Sequence, residues 1–381
     1  MNILLIYGDE PGTFGRYWKN ILSQNHSVLT CGPKTKRGNT HNIQTDSFLI
    51  DINSVINNLK ANKKPDIVIQ LDSPFHLYLL NLDKIKAKTV LFWTDVTIKL
   101  PILRHYASCF NYLFTCCEAF VPILISHGLT NAKIVPLAVD PNIHKDHKLK
   151  RVYDVGFVGH LSDTYNPKRS YYLNYLKKKT SIVIKTGIYE DQMSTFYSKC
   201  KIAFNLSVTA GVNMRTFEAL SAGCLLVQNA SCTDIKYHFE NGKDLVLYNS
   251  KEEAANLINY YLKNPKEGKK IAAHGQKTVL KNHLYRNRAQ TLLSIINKTR
   301  PNKAKHNQIK TALGKSLFMS NIKTGKKLEP YAQKPLLAKI TPDKLHKPIV
   351  AVIKQIETIQ FKWTIPYWYI LLTWQKLNKL R

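Results

Sequence analysis

Short apolar runs recur along most of the chain, and glycine, proline or polar residues bound each of them. Such runs predict buried strands, whereas longer stretches with apolar residues at every third or fourth position predict helices. We predict strands at residues 3–7, 67–71, 89–93, 112–116, 133–136, 153–159, 181–186, 202–206, 224–228 and 244–247. We predict helices at residues 16–24, 52–60, 120–127, 214–222, 251–262 and 265–282. Because strands and helices alternate, the pattern is typical of an α/β protein with doubly wound sheets.

One stretch, residues 199–228, combines a predicted strand, a glycine loop, a helix at 214–222 and a second strand. Gly223 is expected to end that helix, because glycine is common just after a helix C-terminus. Unpaired amides and the helix dipole favour an anion at the helix N-terminus above a parallel sheet. The stretch therefore predicts a phosphate site with Arg215 and Glu218 one turn apart. The alternative is a solvated ion pair, which would stabilise little.

The segment RTFEALSAG at residues 215–223 resembles the R-x-F-E-A-x-x-x-G signature of the CgeB-like (spore maturation protein) glycosyltransferases, of the glycosyl transferases group 1 type. The resemblance covers roughly residues 150–295. It implies the GT-B architecture, in which two Rossmann-like domains face each other across a cleft. It also implies that Glu218 holds the ribose hydroxyls of a nucleotide sugar and that the loop at 209–214 faces the diphosphate. Many related enzymes carry a further glutamate eight positions earlier, where this chain has Ala210.

Further donor-binding positions are predicted in the second half of the chain. We place Gly211 and Asn213 beside the diphosphate, in the loop before the signature helix. Gly159 follows a predicted strand and permits a close backbone approach. Lys168 or Arg169, a few residues later, could neutralise the departing phosphate. The alternative for these two basic residues is a solvated position at a helix start.

Candidate residues of the first half follow its predicted strands. The first strand leads into a glycine-rich loop without G-x-G-x-x-G spacing, and its two acidic residues argue against a phosphate there. The resemblance places this loop at the cleft, which makes Gly12 and Gly15 site candidates, with a tight turn as the alternative. Asp95 and Asp72 end two strands, so we predict catalytic or acceptor-orienting roles for them, together with Arg215 as the catalytic cation. The alternative for the acids is helix capping.

Three segments are predicted from these patterns. Residues 1–145 form a Rossmann-like acceptor domain, residues 146–300 a Rossmann-like nucleotide-sugar domain, and residues 301–381 a basic helical tail. The resemblance places a segment like PLAVDP, at residues 136–141, at the interdomain hinge. The polar, basic run at 142–151 is typical of a linker.

Charge distinguishes the tail from the rest of the chain. Lysine and arginine number 56 against 25 acidic residues in the 381-residue sequence, a net charge of +31. Residues 301–381 contain 16 basic and 3 acidic residues and so contribute +13. This balance predicts an anionic partner, such as a nucleotide, nucleic acid or an acidic membrane surface.

An aromatic run at residues 367–374 is flanked by basic residues. It is too short to cross a bilayer, which needs about 20 apolar residues, but aromatic residues beside lysines suit the headgroup boundary. We therefore predict a peripheral membrane role for the tail, with packing on its own domains or on a partner as the alternative.

Cysteine usage and the N-terminus predict a cytoplasmic protein. The seven cysteines include no C-x-x-C pair and several lie in apolar runs, which favours reduced, buried thiols. The first seven residues lack a basic leader and a long apolar core, so they predict a strand rather than a signal peptide.

The function that these features favour is hexosyl transfer from a nucleotide-diphosphate sugar to a glycan, lipid-linked or protein acceptor, with no cofactor. No Asp-x-Asp pair follows a predicted strand, so we expect metal-independent transfer. The alternative is a non-catalytic nucleotide-sugar binding or scaffold protein, given Ala210. Nucleic-acid binding is disfavoured because zinc spacing, RNA-binding aromatic motifs and a helix-turn-helix pattern are absent from the sequence.

Overall fold

The computed structural model describes residues 1–35, 38, 40–73, 77–96, 100, 104, 106–161 and 167–301. The predicted tail lies outside the described residues apart from residue 301. Within the described part, helices flank two larger parallel sheets, which confirms the predicted α/β class. None of the helices found there has both the length and the apolar character needed to cross a membrane.

The first domain is built on a parallel sheet of order β3-β2-β1-β5-β7-β8-β9, and β4 pairs with β6 beside it. Its strands are β1 (Asn2–Ile6), β2 (Ser27–Pro33), β3 (Ile43–Thr45), β4 (Leu49–Asp51), β5 (Ile67–Leu71), β6 (Tyr78–Leu80), β7 (Lys88–Trp93), β8 (Tyr112–Thr115) and β9 (Ala132–Ile134). Its described helices are α1 (Phe14–Leu22), α2 (Ile52–Asn57) and α3 (Phe120–Ser126). Apolar residues fill both faces of the central strands because helices cover the sheet on each side.

The second domain repeats this plan with a parallel sheet of order β11-β10-β12-β13-β14. Its strands are β10 (Tyr153–Val158), β11 (Ile182–Lys185), β12 (Cys200–Asn205), β13 (Leu225–Asn229) and β14 (Val246–Tyr248). Its helices are α4 (Pro167–Lys179), α5 (Glu190–Ser198), α6 (Met214–Ser221), α7 (Lys251–Lys263) and α8 (Pro265–Asn282). The order places β10 and β12 at the centre, so their carboxyl ends lie next to each other.

The last described helix, α9 (Tyr285–Lys298), returns to the first domain. The Tyr285 ring lies 6.1 Å from the ring of Trp18 on α1. The hydroxyl of Tyr112 on β8 donates to the carbonyl of Ile296 at 3.1 Å. The chain therefore crosses between the domains twice, and α9, which the predicted boundary assigns to the second domain, contacts the first.

The two crossings lie side by side. Val139 and Leu284 form a β-bridge, so the outgoing and returning segments are hydrogen-bonded to each other. Buried Arg288 adds hydrogen bonds from Nε to the carbonyls of Pro136 and Leu137, at 3.1 and 3.3 Å. This arrangement joins the domains at one locus, the predicted hinge.

The segment predicted as a linker is packed against the second domain. Arg151 donates hydrogen bonds to the carbonyls of Tyr197, Cys200, Ala222 and Gly223, at 2.9, 2.7, 2.9 and 3.2 Å. The last two carbonyls lie at the C-terminus of α6, where the helix itself supplies no donors. Gly223, at φ +71°, follows the helix in the left-handed conformation, which confirms its predicted role as the helix stop.

Candidate active site

The carboxyl end of β10 lies against the first turns of α6. Arg215 donates from Nη1 to the carbonyl of Val158 at 3.3 Å, and its guanidinium lies 5.7 Å from the centre of the Phe157 ring. A Cβ atom added to Gly159 would lie 2.2 Å from Arg215 Nη1. Only glycine therefore leaves room for the guanidinium beside the strand end.

A second guanidinium reaches the same ring. Arg169 on α4 lies 5.9 Å from the centre of Phe157 and donates to the carbonyl of His160 at 2.7 Å. Arg169 is 4% exposed, whereas Lys168 is exposed and lies over the ring of Tyr172 at 5.8 Å. Of the two predicted basic residues, Arg169 is the one whose guanidinium lies beside the same aromatic ring as that of Arg215.

The two arginines form no salt bridge with an acidic residue among the residues described, and the Nε atom of each is buried without a hydrogen bond there. Burial, and then the charge of Arg215, lower the pKa of Arg169 to about 10. Burial also lowers the pKa of Arg215, against the effect of nearby Tyr197 and Glu218. Buried cations without counter-ions are costly, and a bound anion offsets that cost. The pair is therefore suited to an anion with several oxygen atoms, such as a diphosphate.

Glu218 lies one turn further along α6 and is 4% exposed. Burial raises its pKa to about 8, and attraction to Arg215 opposes the rise. His144 Nε2 lies 3.5 Å from its Oε1 atom. Burial, and next in size the charge of Glu218, raise the pKa values of Tyr17 and Tyr285. At neutral pH the carboxyl carries a proton, so it can donate a hydrogen bond as well as accept one.

The loop between β12 and α6 is held by a buried polar network. Asn205 at the end of β12 donates from Nδ2 to Asn213 Oδ1, Thr216 Oγ1 and Gln228 Oε1, at 3.0, 3.1 and 2.7 Å. Asn213 is the N-cap of α6 and accepts from the Thr216 amide at 3.3 Å. Gly211, predicted to face the donor, is buried and accepts from a neighbouring serine hydroxyl. The network fixes the loop conformation, and the cap accounts for the Asn213 side chain.

The glycine loop after β1 meets the second domain. Gly12 has φ +74°, and a Cβ atom there would lie 2.6 Å from the Tyr189 ring. Gly15 lies on α1 against the ring of Tyr7, where a Cβ atom would come within 2.3 Å. Gly12 is therefore needed at the domain boundary, whereas Gly15 lets α1 pack on β1.

An arginine on α1 connects this loop to the second domain. Arg16 Nε donates to Asp9 Oδ1 at 2.7 Å, and its Nη1 lies 3.3 Å from Glu190 Oε1 on α5. Asp9 is fully buried and also accepts from the amide and hydroxyl of Thr40, at 2.9 and 2.8 Å. Burial acts to raise the pKa of Asp9, but these hydrogen bonds and the charge of Arg16 hold it below its usual range.

Asp72 and Asp95 lie at the carboxyl ends of the neighbouring strands β5 and β7. Asp72 Oδ2 accepts hydrogen bonds from the amide and hydroxyl of Thr94 and from the amide of Asp95, at 3.1, 3.0 and 3.0 Å. It also caps the next amide, that of Ser73, through Oδ1 at 2.9 Å. Asp72 thus orders the loop after β7, while Asp95 is exposed at the edge of the first sheet.

Four residues of this region were not predicted: His144, Tyr17, Tyr285 and Arg16. His144 is 1% exposed and its ring contacts that of Tyr17 edge-on, with 5.4 Å between centres. A histidine in a polar, basic run carries no signal of burial, and tyrosines in amphipathic helices are usual core residues. No group of three or more histidine, cysteine, aspartate or glutamate side chains with the spacing of a metal site is found among the described residues.

Solved structures of other proteins resemble this fold. Sucrose-phosphate synthase from Thermosynechococcus elongatus is 9% identical, with a TM-score of 0.56 over 78% of this chain and 99% of that chain. HepE from Anabaena, solved with UDP-glucose, is 13% identical, with a TM-score of 0.58 over 78% of this chain and 100% of that chain. The β-glucosyltransferase of T4 phage is 12% identical, with a TM-score of 0.53 over 78% and 99%. The chain thus has the predicted GT-B fold, with two facing Rossmann-like domains.

The second domain is also similar to a family at the level of sequence. Residues 147–294 match the family model described as glycosyl transferase-like. The match contains Gly159, Arg169, Arg215 and Glu218, and so the whole candidate anion site. Comparison with curated proteins finds no match.

Proposed function

We propose that this protein is a glycosyltransferase that moves a hexosyl group from a nucleotide-diphosphate sugar to an acceptor. The observation that carries the proposal is the pair of guanidiniums on one aromatic ring, buried Arg169 and partly buried Arg215, neither of which forms a salt bridge among the described residues. They lie at the carboxyl edge of the second sheet, where ligands bind in doubly wound folds. Glu218, one turn away, is suited to the ribose hydroxyls of the same donor.

The chemistry follows from this distribution of charge. Cleavage of the bond between sugar and diphosphate leaves negative charge on the phosphate oxygens. Arg215 and Arg169 are already oriented by Phe157, so they can stabilise that charge with little reorganisation. Two fixed cations supply positive charge of the kind that a divalent metal ion would supply, and we therefore propose metal-independent transfer.

The acceptor would bind mainly to the first domain, across the cleft from the arginines. We take Asp95 as the candidate to orient or deprotonate it, because its side chain is exposed at a strand end. Asp72 instead orders the loop after β7. The R-x-F-E motif also favours the CgeB-like subfamily, and this assignment remains a prediction.

Turnover and binding with UDP-, GDP- and dTDP-sugars test the function. UDP-glucose is the first donor to use, since HepE of similar fold was solved with it. Arg169→Gln is expected to lower donor affinity by about tenfold or more, as expected for a charged hydrogen bond. Lys168→Gln is the matched control, since it removes the same charge from the exposed neighbour. Equal effects of the two variants, or no binding of any donor, would contradict the proposal.

Two outcomes separate catalysis from binding alone. An enzyme is supported if the wild-type protein transfers the sugar or slowly hydrolyses the donor, and if Arg215→Gln loses that activity. Donor binding without either reaction, in the presence of candidate glycan, lipid-linked and protein acceptors, supports the non-catalytic alternative that Ala210 suggests.

We also propose that the protein is cytoplasmic and that its tail, residues 301–381, binds an anionic membrane surface. Sixteen basic residues among positions 301–381 favour it, since each basic residue near an acidic surface contributes about 1 kcal/mol. Flotation with acidic vesicles tests it by comparing the full chain with a chain ending at Arg300. Unchanged vesicle binding of the shortened chain would contradict it.

A further inference from the structure

His144 reaches Glu218 from the segment that joins the two domains. Its backbone amide donates to the carbonyl of Asp140 at 2.8 Å, and its carbonyl accepts a hydrogen bond from the hydroxyl of Ser221 on α6. The next residue, Lys145, donates its amide to Ser194 Oγ on α5 at 2.9 Å. The backbone around His144 is thus held on two helices of the second domain, so the position of its ring is set by the fold.

The polar atoms around Glu218 lack other partners. Both ring nitrogens of His144 and the hydroxyls of Tyr17 and Tyr285 are buried without a hydrogen bond to any described residue. Each such group costs free energy unless something pairs with it. The three side chains come from three elements, the interdomain segment, α1 and α9. His144 Nε2 lies 3.5 Å from the Glu218 carboxyl, and the charge of that carboxyl acts on both tyrosines.

We propose that His144 is a positioning residue for Glu218, and that its imidazole holds the carboxyl in the orientation in which Glu218 meets the donor. This inference rests on the proposed function, because it assumes that Glu218 contacts the pentose of a nucleotide sugar. The 3.5 Å between His144 Nε2 and Glu218 Oε1 lies at the long limit of a hydrogen bond, so a small rotation of either side chain forms one.

The charge states of the pair agree with this role. Burial lowers the pKa of His144 to about 4 and raises that of Glu218 to about 8, so both side chains are neutral near pH 7. Each side chain then carries one proton. In one imidazole tautomer Nε2 donates its proton to the carboxyl, and in the other Nε2 accepts the carboxyl proton, so either tautomer can form the hydrogen bond. An arriving hydroxyl can take the second oxygen of Glu218 while His144 keeps the first.

Other titratable groups lie near the pair, and their charges also contribute to the pKa values of His144 and Glu218. Arg215 lies on the same helix as Glu218, while Tyr197 on α5, Tyr17 on α1 and Tyr285 on α9 lie near its carboxyl. The charge of Asp191 and the backbone of Asp140 act on His144. None of these groups is altered in the variants below, so a change of pH dependence reports on the pair.

The test is a double-mutant cycle with UDP-glucose affinity measured by calorimetry between pH 6 and 9. We expect His144→Leu to lower affinity about tenfold in the wild-type background and less than about twofold in Glu218→Gln, as for directly coupled residues. His144→Gln, which keeps hydrogen-bonding groups, should recover most of the affinity. The matched control His127→Leu alters an exposed histidine of the first domain and should have no effect.

A readout without donor separates this inference from the proposed function. The pH at which Glu218 ionises, followed by carboxyl NMR or by the pH dependence of stability, should move in His144→Leu and His144→Gln. An unchanged ionisation together with equal losses of affinity in both Glu218 backgrounds would overturn the positioning role while leaving the proposed function intact. Failure of the wild-type protein to bind any nucleotide sugar would overturn both. Should the leucine variant fail to fold, the donor-free readout in His144→Gln decides, and an unchanged ionisation of Glu218 there overturns the positioning role.

Discussion

Replacing Glu218 by glutamine measures how much stability the buried carboxyl costs. The folded protein keeps the Glu218 proton up to pH about 8, whereas the unfolded chain releases it near 4.5. The unfolded state binds fewer protons between these values, so the stability that is fully present below pH 4.5 is lost as the pH rises to 8. At about 1.36 kcal/mol per pH unit, this interval corresponds to about 5 kcal/mol. The figure is a ceiling, because rearrangement around the ionised carboxyl reduces the cost.

Urea unfolding of wild type and Glu218→Gln, from pH 5 to pH 9, tests this reasoning. Glutamine has nearly the same shape as glutamate and no titrating group, so the variant should not lose this stability as the pH rises. We expect its advantage in free energy of unfolding to grow by up to about 4 kcal/mol between pH 5 and 8 and to level off above pH 8. A difference that does not vary with pH would refute the argument. Glu118→Gln, which alters an exposed glutamate of the first domain, should keep the wild-type pH dependence.

Three further variants test packing around the site. Gly159→Ala places a methyl group against the Arg215 guanidinium, so donor affinity should fall about tenfold while the melting temperature changes little. Arg151→Gln removes donors to four carbonyls, and urea unfolding should show a loss of about 2–4 kcal/mol. Tyr17→Phe removes a buried hydroxyl that has no partner among the described residues, so it should leave stability unchanged or raise it.

Each of these expectations has a contrasting control. Gly128→Ala meets no neighbouring atom and should not affect donor affinity, although the left-handed backbone there, at φ +77°, makes the change cost some stability. Lys148→Gln alters a largely exposed side chain and should cost far less than the change at Arg151. Tyr106→Phe removes a hydroxyl with a 2.6 Å hydrogen bond and should destabilise by about 1–3 kcal/mol, in contrast to Tyr17→Phe. Equal results within any of these pairs would contradict the structural reason given.

The predicted fold follows the hydrophobic pattern where an element is buried. Strand β5 and helix α8 have the predicted bounds, because each is a continuous apolar run or an amphipathic repeat between clear breakers. Strand β2, Ser27–Pro33, was not predicted, since it mixes polar and apolar residues and is partly exposed over its first half. Helix α4 was predicted only as a helix start, because three lysines end it and one of its few buried residues is Arg169.

The site was predicted in part. The sequence places Arg215 and Glu218 on one helix, and the structure adds the packing that gives them their properties. The sequence pattern does not distinguish the adjacent basic residues Lys168 and Arg169. The orientation of α4 about its axis decides that Arg169 faces Phe157. His144 belongs to a run that reads as a solvated linker, and its burial depends on contacts with both domains that no local pattern encodes.

The charged and polar groups of this site each lower the stability of the protein when no ligand is bound. Arg169 and Arg215 repel each other and form no salt bridge in the described part of the chain, and burial raises the pKa of Glu218 against the attraction of Arg215. Hydrophobic replacements of similar size would relieve these costs, as they often do for buried charges. A ligand that carries a diphosphate and a pentose would pair with all of them at once. The stability lost in the empty site is then returned on binding, so a true donor should raise the melting temperature more than inorganic phosphate at equal concentration, and equal increases would contradict a site shaped for both parts of a nucleotide sugar.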